Sequence, residues 1–123
     1  MTKRVVGVAI LLLLLAASAP AFAVGPLDGA YQILETSPGL QSLTSFLVII
    51  QNDADIGLAL LFPEAFWVFG SAQLVGGTSI QATLFDPAGL QYGSINVTIV
   101  DGQVTGSIEE SGVTYSASGQ KFR

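Results

Sequence analysis

Residues 46–70 read FLVIIQNDADIGLALLFPEAFWVFG, the most apolar stretch beyond the N-terminal run. Leu47, Val48, Ile49 and Ile50 are consecutive and rich in β-branching. Such a run fits a strand buried on both faces better than a helix. A polar turn, Asn52-Asp53-Ala54-Asp55, follows it, and residues 56–62 return as a strand that stops at Pro63-Glu64-Ala65. Residues 66–72 form the next strand, around the single tryptophan, Trp67. A helix across 56–69 would carry Pro63 in its interior, at a cost of about 3 kcal/mol, so two strands are predicted instead.

The flanking segments alternate more plainly. Residues 29–36 (GAYQILET) form a strand broken by Ser37-Pro38-Gly39, and residues 45–51 carry the second strand. Residues 79–86 place Ile80, Ala82 and Leu84 on one face, and residues 94–100 do the same with Ile95, Val97 and Ile99. Asp101-Gly102 is a two-residue hairpin signal. Residues 103–109, with Val104 and Ile108 inward, lead to a Ser111-Gly112 turn and a last strand at 113–118. Eight short strands with tight turns leave no crossover for a parallel sheet. The predicted fold is all-β: a small antiparallel up-and-down meander closed as a barrel, or as second choice a β-sandwich.

A first strand opening Gly29-Ala30-Tyr31, followed by hairpins with glycine at the corners, resembles the small exported calycin-type barrels. These include the avidins and lipocalins, and the resemblance implies an interior that binds small apolar ligands. Tyr31 stands where the lipocalin tryptophan would be, and the repeated aromatic positions of avidins are missing, so no functional residue carries over.

The N-terminus reads differently. Lys3-Arg4, an apolar run centred on residues 11–15 and the small-residue site Ala21-Phe22-Ala23 have the order of a secretory signal peptide. The expectation is cleavage after residue 23, one β domain over 24–123, and an exported protein, periplasmic or secreted. The run is short of the roughly 20 apolar residues a membrane span needs, so no span is expected after cleavage.

Charge and missing residue types narrow the chemistry. Beyond residue 23 only Lys121 and Arg123 stand against all nine carboxylates. A chain this acidic is repelled by nucleic acid and by anionic head groups. It has no cysteine and no histidine. That removes disulfides, Cys/His zinc sites, a Ser-His-Asp triad and a cysteine nucleophile. Asn52-Asp53-Ala54-Asp55 lacks the spacing of a calcium loop and is read as a turn. Glu109 and Glu110 are neighbours in a strand, so they face opposite ways and are read as solvated hairpin charge. A carboxylate pair for acid–base work would have to be assembled from different strands. Asn96-Val97-Thr98 matches a glycosylation sequon but falls in mid-strand. No metal, cofactor or catalytic residue is assigned.

The remaining candidates are aromatic and apolar. Phe62, Phe66, Trp67, Phe69, Tyr31, Tyr92 and Tyr115 would fill a core or line a pocket. A closed barrel buries one face of each strand, so strands apolar on both faces leave an outer patch, expected near Leu47, Ile49, Leu61 and Trp67. Ligand or partner contacts are therefore expected at Leu47, Ile49, Leu61, Phe66, Trp67, Phe69 and Tyr115. The functional expectation is a non-enzymatic exported β-barrel that binds an apolar small molecule or a protein partner. The alternatives are a self-associating envelope protein, a homo-oligomer built on the apolar face, and an outer-membrane barrel.

Overall fold

The computed structural model describes residues 25–64 and 66–123; the expected signal peptide lies outside the described residues. Eight antiparallel strands follow one another round a closed barrel. They are β1 (Gly29–Thr36), β2 (Leu43–Asn52), β3 (Asp55–Leu61), β4 (Trp67–Gln73), β5 (Ser79–Phe85), β6 (Gln91–Val100), β7 (Gln103–Glu110) and β8 (Val113–Lys121). β8 returns to pair with β1 through Tyr31↔Lys121 to Thr36↔Ser116. Barrel closure leaves no free sheet edge, and it settles the choice between barrel and sandwich.

The alternation in the sequence maps onto the wall. Tyr31 and Ile33 of β1, Leu58 and Leu60 of β3, Ile80 and Leu84 of β5, Ile95, Val97 and Ile99 of β6 and Val104 and Ile108 of β7 are buried in one core. The β6–β7 turn is the expected hairpin. Asp101 and Gly102 both have positive φ, 51° and 76°, the signature of a primed two-residue turn. The lateral joints are uneven. β6 and β7 pair along eight positions, whereas β4 and β5 meet at one register pair, Phe69↔Phe85.

The apolar run in β2 has the opposite parity to the one expected. Leu47 and Ile49 point into the barrel and are 0% and 1% exposed. Phe46, Val48 and Ile50 face outward, Ile50 at 60% exposure. A continuous apolar run carries no phase of its own. The phase comes from the ends of β2, where Ser45 and Gln51 bury their polar side chains against partners inside the barrel. Leu61, Trp67 and Phe69 do face outward, in register with Phe46 and Val48 across β2, β3 and β4. Much of this outer surface covers itself. Trp67 and Phe69 pack ring against ring at 5.1 Å, and Phe46 meets Phe122 edge-on at 5.9 Å.

Candidate functional site

The two ends of the barrel are built differently. At the end holding the β2–β3 and β6–β7 turns, residues 25–28 fold across the opening and bury Leu27. Hydrogen bonds tie this segment to the wall. Tyr31 donates its hydroxyl to the Leu27 carbonyl at 2.7 Å, and the Leu27 amide donates to Gln51 Oε1 at 3.0 Å. Gln51 Nε2 donates to the Asp53 carbonyl at 2.8 Å, and the Gln51 amide donates to Asp28 Oδ1. Burial, then the charge of Asp28, push the Tyr31 hydroxyl up to about 12.

The opposite end, with the β1–β2, β3–β4, β5–β6 and β7–β8 connections, holds carboxylates. Glu35 continues the inward face of β1 after Tyr31 and Ile33, and Glu110 continues that of β7 after Ile108. Glu35 is 0% exposed and Glu110 8%. Ser45 on β2 donates to Glu35 Oε2 at 2.6 Å. Among the described residues no amide or hydroxyl hydrogen reaches Glu35 Oε1 or Glu110 Oε2. Glu35 contributes a side-chain hydrogen bond to the environment of the Glu110 carboxyl. Two ionised carboxylates have no hydrogen to share, so the contact requires a proton on one of them. Burial, the hydrogen bond to Glu35, and the charges of Glu35 and Glu64 push the Glu110 carboxyl up from 4.5 to about 9. At neutral pH the Glu110 carboxyl therefore holds its proton.

Local backbone geometry makes this placement. Gly93 of β6 stands opposite Glu110 in the ladder. A Cβ at Gly93 would come within 1.8 Å of the Glu109 carbonyl oxygen, so only glycine lets β6 lie this close to β7 here. The β3–β4 connection closes through the Phe62 amide, which donates to the Phe66 carbonyl at 2.7 Å. That brings Phe62 and Phe66 nearly parallel at 6.1 Å, with Tyr92 tilted against both at 5.7 and 5.1 Å. Burial, then the charges of Glu110, Glu35 and Glu64, and then Tyr115, raise the Tyr92 hydroxyl to about 12. At this end of the barrel, its mouth, the three rings pack together near the acid pair.

The expected contact residues separate into three places. Phe66 belongs to the mouth, and Tyr115 lies close enough to Tyr92 to affect its ionisation. Leu47 and Ile49 are core. Leu61, Trp67 and Phe69 are on the outer face, where a groove of about 240 Å³ runs between Val48, Ile50, Trp67 and Phe69. Glu110 is buried in the barrel, not solvated hairpin charge as its neighbour Glu109 suggested. Glu35, Ser45 and Glu110 were missed as site residues. The available signal was phase: each glutamate sits two residues beyond an inward apolar side chain. Among the described residues no group of three or more Asp, Glu, His or Cys side chains is placed to hold a metal ion.

No protein-family model matches the chain, and no curated protein matches it.

Proposed function

We propose that this is an exported, non-enzymatic binding module that takes an apolar small molecule at the mouth formed by Phe62, Phe66 and Tyr92. The observation that carries this reading is the contrast between a sealed end and an end whose buried polar atoms lack partners. Buried polar groups are almost always hydrogen-bonded, and an unmatched one costs about 1–3 kcal/mol. A fold whose other end matches its buried polar groups has a use for the unmatched pair. Binding is favoured over catalysis by the spacing of the acids. Retaining and inverting glycosidases hold their carboxyls about 5 Å or more apart, to leave room for substrate or water. The hydrogen bond that Glu35 contributes at the Glu110 carboxyl leaves no such room. An outer-membrane barrel is disfavoured by polarity, since such barrels are apolar outside and polar inside. Here the interior is mainly apolar, with buried polar side chains at its two ends, and β5–β7 turn Gln81, Thr83, Ser94, Asn96 and Thr105 outward.

The test uses the uncharged fluorophore N-phenyl-1-naphthylamine. Its emission should rise saturably on binding. Phe66→Ala and Tyr92→Ala should abolish the rise, while Trp67→Ala on the outer face leaves it intact. No saturable rise, or loss with Trp67→Ala alone, contradicts the reading.

The groove beside the exposed Ile50 supports a second reading, in which the outer face of β2–β4 meets a protein partner or a second copy. Light scattering after size exclusion separates the two. Self-association that disappears in Ile50→Lys favours the outer face.

A further inference from the structure

We infer that the ligand of the mouth is an organic ammonium ion, whose charged head sits between Glu35 and Glu110 beneath the rings of Phe62, Phe66 and Tyr92. This rests on the proposed binding function and names the ligand's chemistry.

Three independent features of the mouth point the same way. The first is unmatched buried acceptors, Glu35 Oε1 and Glu110 Oε2, on side chains more than nine-tenths buried. The second is the aromatic trio, with centroids 5.1–6.1 Å apart. Aromatic faces attract cations, most strongly where water is excluded, and aromatic cages are a recurrent way of holding ammonium groups. The third is the placement of charge. Glu35 comes from β1, Glu64 from the β3–β4 connection and Glu110 from β7, with the Ser45 hydroxyl on Glu35 and Tyr92 within reach of the charge of all three. The two described cations are at the sealed end: the Lys121 amide bonds the Gly102 carbonyl, and the Arg123 carbonyl accepts from Ala30. No cationic side chain among the described residues faces the acid pair, so a positive group must come from outside or the charge must be neutralised by a proton.

That alternative defines the exchange. In the free protein the Glu110 carboxyl, beside Glu35, holds its proton. An incoming ammonium ion replaces it as the positive partner, and the proton leaves to solvent. The ionised Glu110 carboxylate then faces the cation, so charge balances with about one proton released per cation bound. Affinity should rise with pH, by up to about tenfold per unit below the Glu110 midpoint.

The experiment titrates the protein with tetramethylammonium chloride, with tert-butanol as the uncharged counterpart of similar size. Binding is followed by aromatic NMR shifts, and proton release by calorimetry in two buffers of different ionisation enthalpy. The expected result is saturable shifts at Phe62, Phe66 and Tyr92 with the ammonium salt, an affinity that increases from pH 6 to pH 9, and about one proton released. In Glu110→Gln, which imitates the protonated acid, affinity should fall roughly tenfold or more, as for loss of a charge-assisted contact, and the pH dependence should vanish. The wild-type proton count stands by itself should that variant fold poorly. Equal binding of tert-butanol, binding without proton release, or shifts confined to Trp67 and Phe69 would overturn the inference. If N-phenyl-1-naphthylamine still binds at the mouth in those cases, the binding-module reading stands and the ligand is a neutral apolar molecule. If none of the probes binds, both fall.

Discussion

The sealed end and the mouth bury polar groups to opposite effect. At the sealed end Gln51 is 5% exposed, yet its side chain bridges the Leu27 amide and the Asp53 carbonyl. At the mouth Glu35 is buried as deeply, but only one of its oxygens has a partner hydroxyl. Matched polarity under burial fixes geometry: Gln51 holds the plug in register. Unmatched polarity under burial stores a demand for a proton or a cation. The two ends of one barrel thus bury polarity in opposite ways, and substitutions at them should behave differently.

The largest effect is expected between the ends. Ile49 lies in the apolar wall and is 1% exposed. Ile49→Lys should leave the protein unfolded at 25 °C, because an unpaired buried charge costs several kcal/mol. Ile50→Lys, one residue along and facing outward, should change stability by no more than about 0.5 kcal/mol. Urea unfolding of both reads out the parity of β2; equal tolerance would mean that the wall is misassigned.

Next comes the contrast between the plugs. Gln51→Leu strips the Leu27 amide and the Asp53 carbonyl of their partner, and a loss of about 2–3 kcal/mol is expected. Glu110→Leu removes an acid that is costly to bury. It should leave urea stability at pH 7 unchanged or raised, while abolishing ammonium binding, in the manner of sites that trade stability for function. If Glu110→Leu is the more damaging of the two, the mouth is structural and the comparison fails.

A smaller effect follows from protonation. The Glu110 carboxyl titrates higher in the folded chain, at about 9, than its ordinary value of 4.5. Between those values the folded state holds the proton more tightly than the unfolded state. Its contribution to stability is therefore complete below about pH 4.5 and is lost as pH rises toward 9. The melting temperature should decline across that window, and Glu110→Gln should flatten the decline. The smallest effect belongs to the turn beside the plug. Gly102, at φ 76°, resists a β-branched side chain, and Gly102→Val should cost about 1 kcal/mol in thermal unfolding.

What the sequence revealed follows the same division. Strand positions were legible because alternation and turn residues are local: β1 spans the expected eight residues, and Asp101-Gly102 forms the expected turn. Closure was legible from the meander and the missing crossovers. The face of β2 was not, since a run apolar at every position has no period, and the deciding residues were Ser45 and Gln51 at its ends. The acid pair was half legible. Phase places Glu35 and Glu110 inward on their own strands. Their meeting depends on how the strands wrap around the barrel, with β8 between β1 and β7 and β6 drawn close at Gly93, and neither is written in one segment. Glu110 was also masked by its neighbour Glu109, since adjacent acids next to a Ser-Gly turn look like surface charge.

The most direct test is the titration of Glu110 itself, followed through its side-chain carboxyl carbon by NMR in the free wild-type protein. A buried Glu110 carboxyl beside Glu35 predicts a midpoint near 9, with a concerted change at the Tyr92 ring. A midpoint near the ordinary 4.5 would mean that Glu110 is solvated, that it holds no proton at neutral pH, and that the mouth is not the site described.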